Sequence, residues 1–135
     1  MKKHVKLEIA WRDHGIYNIK KIWKITERLK PYRININKLT HNLDKDLWTV
    51  IGKKRNKYIT PNQLMKNPFL SPIDYCKILN ANLQYPIIVY QDKDDLDILD
   101  GLHRLCKIYM LDKRTIKVKY ITKDLLDKAR IKTIL

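Results

Sequence analysis

The stretch Ile98-Leu99-Asp100-Gly101-Leu102-His103-Arg104-Leu105-Cys106-Lys107-Ile108-Tyr109 constrains the fold more than any other part of the chain. Leu96, Ile98 and Leu99 make a short apolar strand. Beyond Asp100-Gly101 the apolar positions 102, 105, 106 and 109 recur at the spacing of a helix with one buried face. The stretch reads as strand, tight turn, helix. Asp100 stands where its carboxylate can cap the first turn, and Gly101 lets the backbone turn closely. His103, Arg104 and Lys107 then place basic groups on the exposed side of the helix start, where the macrodipole disfavours each cation by roughly 0.3–1 kcal/mol. A bound anion reverses that sign, because free N–H groups, the positive dipole end and the cations converge on the same oxygens. Asp100 to Lys107 therefore predicts a phosphate site. A solvated surface helix with an incidental histidine fits the same residues.

The context extends the pattern. Tyr85-Pro86-Ile87-Ile88-Val89, an acidic turn, Ile98-Leu99-Asp100-Gly101-Leu102-His103-Arg104, a helix and the strand Thr115 to Ile121 resemble the ParB/sulfiredoxin-like superfamily in its D-G-x-H-R form. The similarity covers residues 85–121 and extends back to about Tyr32, where Arg33-Ile34-Asn35-Ile36-Asn37-Lys38-Leu39 looks like the opening strand of the family. The resemblance implies nucleotide binding, with Gly101, His103 and Arg104 at the phosphates. Three departures narrow it. Leu102 stands where sulfiredoxins have their catalytic cysteine, which argues against sulfinic acid reduction. Partition-type members have Glu-Arg-Arg after the glycine and a helix-turn-helix domain that 135 residues leave no room for. Free-serine kinases of the superfamily share the D-G-x-H-R turn but need a further glutamate, and the glutamates here, Glu8 and Glu27, lie outside residues 85–121.

A length of 135 residues predicts a single domain, 1–135, able to bury about two thirds of its unfolded surface without disulfide or metal support. No apolar run approaches the roughly 18 residues of a membrane span, and Met1-Lys2-Lys3-His4 lacks the apolar stretch of a secretory signal, so a cytoplasmic protein with no membrane partner is expected. Cys76 and Cys106 lie in apolar helical patterns with no partner at ligand spacing and are expected to be buried thiols. The net charge of +15 is uneven: residues 1–57 hold 16 Lys and Arg against 5 Asp and Glu, residues 58–135 hold 13 against 9. A chain this basic attracts nucleic acid at low salt whatever its function.

From the amino terminus, Val5, Leu7, Ile9 and Trp11 alternate as a strand, and Ile16, Ile19, Ile22, Trp23 and Leu29 give an amphipathic helix over 16–29 that ends at Lys30-Pro31, with Trp23 on its core face. Ile34 and Ile36 share a strand face, and Leu39, Leu43, Leu47 and Trp48 suggest a short helix. Gly52-Lys53-Lys54-Arg55-Asn56-Lys57 reads as a basic loop, with Lys53, Lys54, Arg55 and Lys57 as candidate nucleic-acid contacts. Thr60-Pro61-Asn62-Gln63 is a capping box with Pro at N1, and Ser71-Pro72-Ile73-Asp74 repeats the device. Gln91 to Asp95 is a solvated hairpin turn, lacking the glycine and distal glutamate of a calcium loop. Ile116, Val118 and Tyr120 alternate with Lys117 and Lys119, and Thr122 caps a last helix from Lys123 to about Ile131. The order of elements predicts an α+β domain, a small mixed sheet surrounded by helices, ParB/sulfiredoxin-like in arrangement.

Ser71 is the only serine, and His4, His14, His41 and His103 lack ligand spacing, so serine-triad and zinc-hydrolase chemistry have no support. Two functions remain open. One is a nucleotide-dependent protein, a phosphotransferase or hydrolase, binding a nucleoside di- or triphosphate such as ATP or ADP with Mg2+. There Gly101, His103, Arg104 and Lys107 hold the phosphates, while Asp100 and His103 are the candidate catalytic residues, Asp100 placed to orient the metal or take a proton. The other is a DNA- or RNA-binding protein or nuclease that docks through its basic amino-terminal half.

Overall fold

A computed structural model describes residues 9–12, 15–50 and 57–131. The first described elements are an antiparallel pair, β1 (Ile9–Arg12) and β2 (Gly15–Asn18). Helix α1 (Ile19–Thr26) follows directly, because the Asn18 side chain accepts the Lys21 N–H and so starts the helix. The expected helix over 16–29 is thus shorter at both ends. Ile16 satisfies a helical period in sequence, but the ladder to β1 supplies the backbone partners of Ile16 and Tyr17 and takes both into a strand. Residues 1–8, the first part of the expected amino-terminal strand, lie outside the described residues.

Strand β3 (Tyr32–Asn35) leads into two 3₁₀ turns, Ile36–Lys38 and Thr40–Asp44, where a short helix and the end of a strand were expected. Trp48 does not continue that turn but opens β4 (Trp48–Val50), which pairs with β5 (Lys57–Ile59) across the basic segment. Helix α2 (Pro61–Lys66) has the predicted capping box, with Thr60 and Gln63 each accepting the backbone N–H of the other. Helix α3 (Pro72–Leu79) lacks one: Ser71 turns its hydroxyl onto Asp74 Oδ2 at 2.7 Å, so neither side chain caps. The hairpin β6 (Ile87–Asp92) and β7 (Asp95–Asp100), helix α4 (Leu102–Met110), β8 (Thr115–Ile121) and α5 (Lys123–Ala129) complete the chain. Helix α5 stops short of Ile131, since Arg130 turns extended to bridge Tyr17 and the Ile131 N–H bonds to Ile16.

Four strands form one mixed sheet in the order β3-β8-β6-β7, with β6 and β8 parallel and the outer pairings antiparallel. The fold is α+β, with helices on both faces. Period-two alternation along the strands divides the core. Ile87, Val89, Leu96, Ile98, Ile116 and Val118 face the 3₁₀ turns, α2, α3 and α4, while Ile88, Leu99 and Ile121 face α1 and α5. Cys106 lies in the first of these layers, and burial pushes its thiol pKa up to about 12, making it an inert apolar group. Cys76, expected to be buried, is exposed on α3, because Ile78 carries the buried position of that helix.

Candidate functional site

The β7–α4 turn lies where the sheet ends and three helices converge. Gly101 has φ +112°, a left-handed conformation that L side chains rarely adopt, and a Cβ there would stand 2.9 Å from Ile87 Cγ1. The glycine is therefore required by packing against β6 as well as by the turn that the sequence assigned to it. From Gly101 the chain enters α4, whose first intrahelical bond runs from Leu105 N–H to the Gly101 carbonyl at 2.9 Å. The N–H groups of Leu102, His103 and Arg104 thus have no helical acceptor, and no side chain among the described residues caps them.

Asp100, expected as that cap, is turned elsewhere. Its Oδ2 accepts the Trp23 indole N–H at 2.7 Å and Arg104 Nη2 at 2.8 Å, and Oδ1 has no hydrogen-bond partner among the described residues. A guanidinium four residues on, half-buried, is a stronger partner for a carboxylate than a backbone amide, which is why the cap is forgone. Arg104 also donates Nη1 to the Pro86 carbonyl at 2.7 Å, so it clamps the start of β6 to the end of β7. His103 leans toward α3, its Nε2 3.2 Å from Asp74 Oδ1, and its ring stacks on Trp48 at 5.0 Å between centroids and 19° between planes. Burial holds the imidazole below its ordinary pKa of 6.5, against the opposing pull of Asp74. Lys107 reaches the Ala81 carbonyl just past α3 at 2.9 Å and does not line the cavity beside the turn. The basic groups that the sequence placed unpaired at the helix start thus each have a partner within the fold.

That cavity has a volume of about 840 Å³. Trp23, Lys24, Thr26 and Glu27 of α1 and the residue after it form one wall. Lys77, Ala81, Asn82, Tyr85 and Pro86 form another, and Ile88, Asp100, Gly101, His103, Arg104 and Lys119 complete the lining. Lys119 donates to the Thr26 and Glu27 carbonyls at 3.0 and 3.2 Å, closing the carboxyl end of α1. Lys24 and Lys77 both line the cavity and make no side-chain hydrogen bond or ion pair among the described residues. Trp23, predicted to be core, is 44% exposed and lines the cavity, as does Tyr85 at 65%.

The structure therefore brings Asp100, Gly101, His103 and Arg104 to one cavity and leaves Lys107 behind it. Lys53, Lys54 and Arg55 lie outside the described residues, and Lys57 is exposed at the start of β5, away from the cavity lining. Sequence reasoning missed Trp23, Asp74, Lys77 and Lys119 as parts of the site. Trp23 borders the polar face of α1, a signal available in the helical pattern, whereas Asp74 and Lys119 arrive through tertiary packing alone. Among the described residues no group of three or more His, Cys, Asp or Glu side chains converges to hold a metal ion, and no helix is long and apolar enough to cross a membrane. Set against protein-family models, curated proteins and solved structures, the chain finds no match in any of the three.

Proposed function

We propose that the cavity beside the β7–α4 turn binds the phosphates of a nucleoside di- or triphosphate, ATP or ADP, with Mg2+ as counter-ion. In this reading the chain is a ParB/sulfiredoxin-like nucleotide-binding protein acting in phosphoryl transfer or hydrolysis. The observation that carries it is the uncapped amino end of α4, three N–H groups without an acceptor among the described residues, beside a cavity of about 840 Å³ lined also by Lys24 and Lys77, which have no side-chain partner among those residues. Amides, dipole and ammonium groups attract the same ligand, an anion with several oxygens. The cavity is large enough for a nucleotide, and Trp23 and Tyr85 offer aromatic surface for its base.

The internal pairing of the motif's cations alters their roles. Arg104, tied to Asp100 and the Pro86 carbonyl, orients the turn; the α4 amides with Lys24 and Lys77 take the phosphate oxygens. The order strand, strand, glycine-basic turn, helix, strand from Ile87 to Ile121 supports the superfamily reading. Titration calorimetry with ATP, ADP, CTP and GTP in the presence of Mg2+ tests the proposal. Binding of at least one nucleotide, weakened about tenfold or more in Lys24→Ala/Lys77→Ala by loss of two charge-assisted contacts, is the expected result. Absence of binding by the wild-type chain to all four, or unchanged affinity in the double variant, would overturn it.

A further inference from the structure

His103 is held on two sides. Its ring face lies on Trp48 of β4, and its Nε2 edge meets Asp74 of α3 at 3.2 Å. Asp74 is itself fixed, since its second oxygen accepts the Ser71 hydroxyl at 2.7 Å. An ionised carboxylate accepts hydrogen bonds and donates none, so the proton between the two residues sits on Nε2. The remaining polar atom of the ring, Nδ1, has no hydrogen-bond partner among the described residues, and His103 lines the cavity. The geometry points to an Asp74–His103 dyad as the proton acceptor of the cavity. Asp74 fixes the Nε2–H tautomer and leaves Nδ1 free to take a proton from a water or hydroxyl attacking the terminal phosphate of a bound nucleotide, a role that rests on the nucleotide reading above.

The charges around the ring agree with that role. Burial and Lys77 disfavour the imidazolium, while Asp74 and Asp100 favour it, and burial is the largest of these influences. The ring is accordingly neutral near pH 7, with a lone pair on Nδ1. As the nucleophile's oxygen bonds to phosphorus, its proton passes to Nδ1. The bond from phosphorus to the bridging oxygen breaks, and its electron pair leaves on the nucleoside diphosphate. The imidazolium so formed faces Asp74, which stabilises it until the proton is lost to solvent. Asp74 acts through His103 and is a positioning residue.

Two measurements on the full chain test the dyad. Long-range proton–nitrogen NMR of the labelled protein reads the tautomer without any nucleotide. Nδ1 is expected at the resonance of a bare ring nitrogen and Nε2 at that of a protonated one, and Asp74→Ala is expected to relax the ring to a mixture of both forms. Phosphate release from ATP with Mg2+ is then followed alongside calorimetric affinity. His103→Gln should lower turnover on the order of 100-fold and Asp74→Asn at least about 10-fold, with ATP affinity little changed. A wild-type ring protonated on Nδ1, ATP bound without turnover above the solvent rate, or turnover unaffected by His103→Gln would each overturn the proposal. If ATP does not bind while the tautomer is as expected and depends on Asp74, the nucleotide reading falls and the assignment of Nδ1 as the cavity's free base is upheld.

Discussion

At Gly101 the backbone conformation and the packing impose the same residue for separate reasons. A φ of +112° strains any side chain, and the position a Cβ would take is already occupied by Ile87 at 2.9 Å from its Cγ1. Ile87 is 1% exposed and lies in the middle of the sheet, so it has no room to withdraw. Gly101→Ala should therefore destabilise the fold by about 2 kcal/mol or more, read as a lower urea midpoint at unchanged slope. A variant as stable as the wild-type chain would mean that the turn relaxes into an ordinary conformation. The residue was legible as a turn glycine in sequence, but its reason was not, because Ile87 approaches from a different strand.

Helices α3 and α4 meet through the His103–Asp74 pair, whose imidazole is made harder to protonate by burial. Burial lowers the His103 pKa below 6.5 in the folded chain, so between the folded value and 6.5 the unfolded chain binds more protons than the folded one. Stability should consequently rise with pH across that window and be lost as pH falls from about 6.5 through the lower folded value. Urea midpoints at steps from pH 5 to pH 8 check this. The slope just below pH 6.5 should flatten in His103→Gln, and an unchanged slope would place the titration elsewhere. At this same scale the sequence was legible where the interaction is local. The Thr60–Gln63 box and the β7–Gly101–α4 succession involve neighbours whose spacing is the signal. It was misleading where two periods fit the same residue, as at Ile16, and where one side chain had two possible partners. Ser71 and Asp74 matched a capping box but bonded to each other, and Asp100 matched a cap but bonded to Trp23 and Arg104. A nearby charge or hydroxyl outcompetes a helix amide, and no local pattern reveals that it is nearby.

Over the whole molecule the strand order β3-β8-β6-β7 joins Tyr32–Asn35 to Thr115–Ile121, a pairing between distant segments that alternation within each strand does not specify. That pairing brings Lys119 to the end of α1 and so helps build the cavity, which is why this part of the lining was invisible in sequence. The net charge of +15, in contrast, is legible at once and acts on every polyanion. The two kinds of binding respond differently to salt. A duplex spanning 6–10 phosphates releases condensed counter-ions and should lose about 10³–10⁵ in affinity between 50 and 200 mM salt, whereas a mononucleotide held by a few groups in a partly enclosed site is screened far less. Fluorescence anisotropy with a labelled duplex and calorimetry with ATP, each across that salt range, separate them. Lys24→Ala/Lys77→Ala should lower ATP affinity and leave the duplex curve nearly parallel to that of the wild-type chain, since two charges among 29 basic residues barely change the long-range field. Parallel salt slopes for the two ligands would instead assign the nucleotide to the same diffuse surface attraction, because a cavity with its own amides and paired walls has to bind a small anion more selectively than a basic surface does.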